Sequence, residues 1–563
     1  MVRGQLLKVL KDLSGEKEIH LEFPERQEHG DYTTNIAMIM AKKEDKNPRE
    51  YAQELVKKLS QVASLMAFVS KIEMAGPGFI NFFLQEEYIV KKIVEIDETY
   101  GTSIENEGKE VIVEYSSPNI AKPFGVGHLR STIIGDCIAN LLEATGWKVY
   151  RDNHLGDWGT QFGKQIYAIK AWGNEEDLDK STKPIKDLVA LYVKFHEEAQ
   201  KDPSLEEKAR KWFKKLEEGD SEAKRLWKKC IDWSFKEFSK LYQKLGVSFT
   251  ENNGLGYGES YFEDKMQPII IELQEKGFLK ESQGAKLLFF PKDKYPPLMI
   301  LKKDGATLYA TRDLATDKFR LEKYGTDILV INEVGGEQSL YWKQVFETEY
   351  LLGWYKKGQR IHIGHGMIRL KTGKMSTRKG TTILLEDILD EAVKRATTLA
   401  KDGQIENLNK VSQQVGMGAI KWNDLKRDYK QDILFDWDEI LNMQGNSGPY
   451  IQYTYARTQS ILAKSTLQGV TLQETEGLEA EELSVAKHLV KFPEIVSFAA
   501  INYSPNLLCN YLFELAQKFN TFYNKHKVIG SQKEEYRLLL TKATGQVLKN
   551  GLNLLGIETP KRM

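Results

Sequence analysis

Residues 111–136 read VIVEYSSPNIAKPFGVGHLRSTIIGD. Residues 111–115 are β-branched and apolar enough for a buried parallel strand, and Ser116-Ser117-Pro118-Asn119 break it. From His128 onward Leu129, Ile133, Ile134, Ile138, Leu141 and Leu142 recur at helical spacing, so Gly125-Val126-Gly127-His128 sits where a strand gives way to a helix start. The first turn of a helix offers backbone N–H groups with no internal partner, aligned with the positive end of the dipole, which makes this bend an anion site. Two phosphate motifs fail here. A dinucleotide fingerprint needs glycine where Arg130 stands, and a P-loop at Gly373-Lys374 needs glycine at Ile368 and a hydroxyl at Met375.

Outward from this stretch, short apolar runs at Leu298–Leu301, 328–331 and 361–363 are separated by helical patterns. They are expected to supply the second half of a doubly wound parallel sheet, within a multidomain α/β chain. Residues 1–90 alternate helical and strand patterns around the turn Gly76-Pro77-Gly78, predicting a small α/β module. Between about 164 and 245 charges of both signs are dense and tryptophans recur, which reads as a helical insertion with solvated faces. Asn252-Asn253-Gly254-Leu255-Gly256-Tyr257-Gly258 reads as a loop. Residues 401–563 are helical, with amphipathic segments at 450–462 and 507–523, leaving 91–400 for the sheet domain.

Composition bounds the partners. The chain has 563 residues, too many for one core, with 80 Lys+Arg against 80 Asp+Glu, so no global field attracts nucleic acid and any such contact must come from local patches. Its three cysteines, Cys137, Cys230 and Cys509, form no Cys-x-x-Cys pair, and its nine histidines are scattered, which argues against a zinc ribbon and for a reducing compartment. No metal site is expected. No apolar run reaches the ~18 residues of a membrane helix and the N-terminus lacks a signal-peptide core, so a cytoplasmic protein with no membrane contact is expected.

A glycine-flanked basic loop, Lys374-Met375-Ser376-Thr377-Arg378-Lys379-Gly380, lies after the strand expected at 361–363 and its Gly364-His365-Gly366-Met367 exit. Gly127-His128 early and this loop late resemble the paired signatures of class I aminoacyl-tRNA synthetases. Ser117-Pro118-Asn119-Ile120-Ala121-Lys122-Pro123, Gly127-His128-Leu129-Arg130-Ser131-Thr132, Asn153 to Gly163 and Tyr309-Ala310-Thr311-Arg312-Asp313 resemble one family in that class, the arginyl-tRNA synthetases. The resemblance extends from Gly30-Asp31-Tyr32 to Lys561-Arg562-Met563. It implies ATP-dependent ligation of L-arginine to tRNA(Arg) through an adenylate, activation only with tRNA bound, ATP accompanied by Mg2+ as counter-ion, and no DNA partner. A monomer is expected.

Activation by in-line attack on the α-phosphorus needs positioning and charge neutralisation. The resemblance places Gly125, Gly127, His128, Met367, Lys374, Met375 and Ser376 against the nucleotide, with adenine on Gly127, and His128, Lys374, Arg378 and Lys379 on the phosphates. Two positions depart from the pattern: Gly125 replaces a histidine and Thr377 a second lysine. Lys122 is expected to supply the absent charge. A guanidinium suits paired carboxylates, and Glu114 and Asp313 match the positions that hold it, with the Tyr309 hydroxyl as a third acceptor. Asn119 and Gln338 match contacts to the α-amino end. His154 and Gln161 face the same cleft from the end of a second strand expected at 148–151. On residues alone, Glu114 could instead pair with Arg130, Asp313 with Arg312, and His128 could be a cap or a buried histidine.

The N-terminal module resembles the family's additional domain, which holds the outer corner of tRNA at its D-loop, and Phe79, Asn81 and Phe83 alternate on one strand face as a stacking and reading surface. The C-terminal region resembles the helical anticodon-binding domain. Tyr450, Tyr453 and Arg457 share one helical stripe there, and Met563 resembles the family's closing residue near the anticodon. Core packing competes for the phenylalanines and tyrosines. A catalytically silent tRNA-binding paralogue and a small-molecule adenylyltransferase of the same fold are the alternative readings.

Overall fold

The computed structural model describes residues 1–370, 384–399, 407–465 and 477–563. In the N-terminal module, β1 (Leu21–Glu22), β2 (Tyr32–Thr34), β3 (Val69–Ala75) and β4 (Phe79–Leu84) form an antiparallel sheet ordered β1-β2-β4-β3. The period of two in β4 sorts its side chains. Ile80, Phe82 and Leu84 enter the core, while Phe79 and Phe83 stay half-buried on the opposite face.

The central sheet is parallel. Its strands β5 (Glu110–Glu114) and β6 (Lys148–Asp152) are joined through the helix Gly127–Ala144. An antiparallel trio then intervenes: β7 (Leu279–Ser282), β8 (Ala285–Leu288) and β9 (Leu298–Leu301). The chain returns through the helix Tyr309–Tyr324 to β10 (Leu329–Gly335), and through the helix Ser339–Leu352 to β11 (Arg360–His365). The order is β11-β10-β5-β6, so the winding reverses between β5 and β10. Glu114 stands opposite Asn332 at that reversal. In open α/β sheets the crevice above such a switch point is where ligands bind.

Leu298–Leu301 corrects the sequence expectation. It does not join the parallel sheet but pairs antiparallel with β8. A four-residue apolar run satisfies either pairing, and the hairpin partner is set by the neighbouring strands rather than by the run itself.

Between β6 and β7 the charged insertion folds as helices, including Pro184–Lys201, Ser204–Glu217 and Ser221–Leu245, around Phe162, Phe195, Leu226 and Phe238. Its charges pair at the surface, as in Arg225–Glu175 at 2.6 Å and Lys229–Asp179 at 2.9 Å, where each pair contributes at most about 1 kcal/mol. Beyond β11, a short parallel pair of β12 (Ile368–Leu370) and β13 (Ile433–Phe435) brackets the helix Leu408–Leu425. The helices Gly448–Lys464, Pro505–Lys525 and Glu534–Leu554 then build an all-helical region around Ile451, Phe519 and Leu548. The N-terminal module docks on this region: the Tyr32 hydroxyl and the Arg3 amide both donate to Glu494 Oε1 at 2.8 Å, and Lys487 meets Asp31 at 3.0 Å.

Candidate active site

The segment after β5 is held in a disfavoured path. Ser116, Ser117 and Ala121 have φ of 73°, 45° and 56°, a left-handed region that costs a side chain about 1–2 kcal/mol. Three buried side chains hold it. Ser131 Oγ accepts from the Ser116 amide at 2.9 Å, Asn153 Oδ1 from Ser117 at 3.1 Å, and Ser234 Oγ from Ala121 at 3.0 Å. Asn119 and Lys122 are thereby carried, exposed, above the start of the helix Gly127–Ala144.

A cleft of about 600 Å³ opens there. Asn119, Lys122, Gly125, Gly127 and His128 form one wall, and Glu337, His365, Gly366 and Met367 the other. Among the described residues, its own helix backbone and chain neighbours aside, no atom lies within 4 Å of where a Cβ on Gly127 would stand, so that side of the residue faces open space. Nδ1 of His128 is buried without a partner among the described residues. Burial lowers the pKa of His128, against a backbone bond to Gly125, and the nearby positive charge of Lys122 lowers it further. The ring is therefore neutral at pH 7, with one nitrogen to donate and one to accept. Lys374, Met375, Ser376, Arg378 and Lys379 lie outside the described residues.

Arg130 binds the two walls together. It is fully buried, its Nε donates to Asp424 at 3.1 Å, and its Nη1 donates to the carbonyls of Gly366 and Gln431, each at 2.7 Å. It is not the partner of Glu114. The sequence signal was an arginine inside an otherwise apolar helix stripe. His365 was also missed: its Nδ1 sits 2.7 Å from Oε1 of buried Glu333, whose charge, working against burial, raises the pKa of His365.

The amino-acid side lies at the switch point. Glu114 is 5% exposed, and Arg320 from the helix Tyr309–Tyr324 donates to its Oε2. Burial works against the carboxylate, but Arg320 and then His154 keep its pKa below the ordinary value. Asp313 projects from the first turns of the same helix, which begins after Leu308, and accepts from the Tyr341 hydroxyl. His154 Nε2 stands 3.9 Å from Asp313 Oδ1. Among the described residues that nitrogen is buried without a hydrogen-bond partner, and the buried amide of Asn332, opposite Glu114, helps to hold the carboxylate pKa down. Burial disfavours charge on His154, yet Glu114 and Asp313 raise its pKa. Tyr309 is 60% exposed and stacks edge-on against Tyr341 at 5.0 Å. Gln338 is exposed at the end of the turn Gly336–Gln338. Arg312 does not pair with Asp313, since it bonds Glu263 at 2.7 Å. Gln161 turns back to the carbonyl of Trp158 at 2.8 Å and lies with Lys122 in a separate recess. The glycines at 256 and 258 serve close approach, because a Cβ there would meet Asn153 O at 2.1 Å and Asp157 Oδ2 at 2.5 Å.

Elsewhere, Asn81 is buried, its Oδ1 accepts from Thr33 at 2.7 Å, and its Nδ2 has no partner among the described residues, between half-buried Phe79 and Phe83. Tyr450, Tyr453 and Arg457 gather on one side of the helix Gly448–Lys464. Asn520 donates to the Tyr450 hydroxyl at 3.0 Å and accepts from Arg457, whose guanidinium lies over the rings of Tyr453 and Tyr523 at 5.1 and 5.2 Å. Met563 packs apart from them, against Ala396, Val411 and Val415.

A parallel sheet whose first strand passes through a Gly-His turn into a helix, with a nucleotide-sized cleft above it and a cluster of acids at the switch point, has the architecture of the class I aminoacyl-tRNA synthetases. Models of tRNA synthetases class I (R), catalytic domain, match residues 89–437, those of the DALR anticodon binding domain residues 451–563, and those of the arginyl tRNA synthetase N terminal domain residues 1–84. An arginine–tRNA ligase of Clostridium perfringens is 42% identical over 96% of both chains, and one of Fusobacterium nucleatum 41% over 97% of this chain and 96% of that one. The arginyl-tRNA synthetase structure of Thermus thermophilus superposes with a TM-score of 0.83 at 23% identity, covering 100% of this chain and 99% of the other. That of Plasmodium falciparum gives 0.81 at 25% identity, covering 100% and 98%. The chain belongs to the arginyl-tRNA synthetase family.

Proposed function

We propose that the protein ligates L-arginine to tRNA(Arg) at the expense of ATP, through an arginyl-adenylate, releasing diphosphate and then AMP. The supporting observation is the pairing of a cleft over Gly127 and His128 with a cluster, at the end of the strand that leads into it, in which Glu114, Asp313 and His154 converge. In the first step the arginine carboxylate displaces diphosphate from the α-phosphorus in line, so the protein contributes orientation and charge rather than a nucleophile. The free amides at the helix start and His128 hold phosphate oxygens, Lys122 neutralises the leaving phosphates, and Gly127 leaves room for adenine beside Met367. Mg2+ enters with the triphosphate as its counter-ion. Among the described residues no cluster of three or more His, Cys, Asp or Glu is placed to hold a metal.

Glu114, Asp313 and the Tyr309 hydroxyl accept from the guanidinium fork, His154 adds to the pocket wall, and Asn119 with Gln338 meets the α-amino end. Residues 1–90 hold the outer corner of tRNA through Phe79, Asn81 and Phe83, and 401–563 hold the anticodon through Tyr450, Tyr453, Arg457 and Met563, with 91–400 and its insertion at about 164–245 performing the chemistry. The protein acts as a cytoplasmic monomer without DNA or membrane partners. Among the described residues no helix is long and apolar enough to cross a membrane. Arginine-dependent ATP–pyrophosphate exchange tests the proposal. Exchange that appears only with tRNA supports it, exchange without tRNA favours a small-molecule adenylyltransferase, and none under either condition leaves a silent RNA-binding paralogue.

A further inference from the structure

Arg320 lies two turns beyond Asp313 on the helix Tyr309–Tyr324 and on nearly the same side of it. It is 2% exposed, and one nitrogen, Nη2, donates both to Glu114 and to Asp152 Oδ2 at 2.8 Å, while Nη1 meets Asp317 at 3.1 Å. Glu114 and Asp152 end adjacent strands in register, so this single guanidinium fixes the ends of β5 and β6 against the helix that presents Asp313. Resting on the reading of Glu114 and Asp313 as guanidinium acceptors, we propose that Arg320 is a positioning residue for arginine recognition. It orients the Glu114 carboxylate and keeps it ionised before the substrate arrives.

The argument is electrostatic. A carboxyl group this deep takes up a proton unless a cation opposes it, and a protonated acid is a poor acceptor for a guanidinium. The cations facing Glu114 are Arg320 and His154, and the acids are Asp313 from the helix and Asp152 from β6. Burial disfavours charge on His154 while Glu114 and Asp313 favour it, so its help varies with pH, whereas Arg320 is permanently charged. The surrounding acids outnumber the fixed cations. Among the described residues Glu114, Asp152 and Asp317 share Arg320 and Arg360, the latter meeting Asp317 at 2.5 Å and also Glu349 at 2.8 Å, whose carboxyl burial pushes well above the usual carboxylate range. An arriving guanidinium therefore enters a site already short of positive charge, and Arg320 decides which oxygen of Glu114 it meets.

The test is tRNA-dependent pyrophosphate exchange with Arg320→Gln, Arg320→Lys, Glu114→Gln and the double variant Glu114→Gln/Arg320→Lys. Arg320→Gln is expected to raise the arginine KM at least tenfold while the ATP KM moves less than twofold. Its kcat/KM for arginine should decline at a higher pH than in the wild type as pH falls, since His154 and Asp313 remain in both enzymes and the difference reports Glu114. Arg320→Lys should restore the wild-type pH profile with part of the affinity. In the Glu114→Gln background Arg320→Lys should add less than twofold. A wild-type pH profile in Arg320→Gln, or effects of Arg320→Lys and Glu114→Gln that simply multiply, would overturn the proposal. If Arg320→Gln does not fold, the double-variant comparison decides alone. An unchanged arginine KM in Glu114→Gln sinks the pocket reading and this proposal together, whereas a large Glu114→Gln effect that multiplies independently with Arg320→Lys sinks this proposal only.

Discussion

Asp313 gives the pocket a pH signature. Burial pushes its carboxyl up to about 6, against His154 and the Tyr341 hydroxyl, with Glu114 adding to the rise. Free enzyme with Asp313 protonated lacks one acceptor for the guanidinium, so kcat/KM for arginine should follow the ionised fraction, about nine-tenths at pH 7, half at pH 6 and one-tenth at pH 5. Asp313→Asn should lower kcat/KM for arginine by roughly 10- to 150-fold, as expected for losing a hydrogen bond between charged groups worth about 1.5–3 kcal/mol. The bend near pH 6 should be weaker in what remains, reduced to the contribution of His154. The stability effect has the opposite sign. Because the folded pKa lies above the unfolded one, the folded chain binds the proton more tightly, and holding the ionised form costs roughly 2–3 kcal/mol above pH 6, a cost that disappears below about pH 4. Asp313→Asn should therefore resist denaturant better than wild type at pH 7 and equally at pH 4. The assays are tRNA-dependent exchange from pH 5 to 8 and denaturant midpoints at both pH values. An inflection near pH 6 that survives undiminished in Asp313→Asn, or a variant less stable than wild type at pH 7, would refute the reasoning.

Glu114→Gln should raise the arginine KM by an order of magnitude or more with ATP binding hardly changed, and an unchanged arginine KM removes Glu114 from the pocket. Lys122→Ala, which removes an exposed cation from the cleft rim, should slow aminoacylation by the equivalent of ~2 kcal/mol without loss of stability. A rate within a few-fold of wild type would show that Lys122 does not replace the absent loop lysine. Gly127→Val points into open cleft, so the protein should fold normally while the ATP KM rises at least tenfold; normal ATP affinity would place adenine elsewhere. Arg130→Met strands Asp424 as an unpaired buried acid and should cost about 3–5 kcal/mol in denaturant unfolding, and adding Asp424→Asn should recover part of that loss.

What could be read from the sequence follows from range. The strand, turn and helix of residues 111–136 are local, so the breakers after residue 115 and the helical spacing after His128 determine them within one stretch. The cleft members Asn119, Lys122, Gly125, Gly127 and His128 came with that stretch, and Met367 with a similar local motif. The parallel order of β10 and β11 was legible because their apolar runs are separated by helices, whereas Leu298–Leu301 was misassigned because its partner β8 lies in a hairpin with little apolar periodicity. The buried ion pairs were not legible. Arg130 meets Asp424 across 294 residues and Arg320 meets Glu114 across 206, and nothing in either local pattern marks the partner.

The same distance separates cause from effect in the energetics. The groups that make the pocket useful destabilise the fold locally. Three non-glycine residues stand at positive φ after β5, His128 Nδ1 and His154 Nε2 are buried without partners among the described residues, and Asp313 is ionised at neutral pH against its burial. Each such feature costs on the order of 1–3 kcal/mol. They persist because rigid neighbours leave no cheaper arrangement: Ser131, Asn153 and Ser234 hold the strained backbone, and the Arg130 and Arg320 pairs fix the helices on either face of the sheet. A side chain free to rotate would find water or fold back on the backbone, and the orphaned atoms would vanish together with their orientation. Unsatisfied donors and acceptors held this firmly gain partners without reorganising when a nucleotide or an amino acid arrives. The remote ion pairs, which no motif would single out, are thus what allows the motif residues to stay poised.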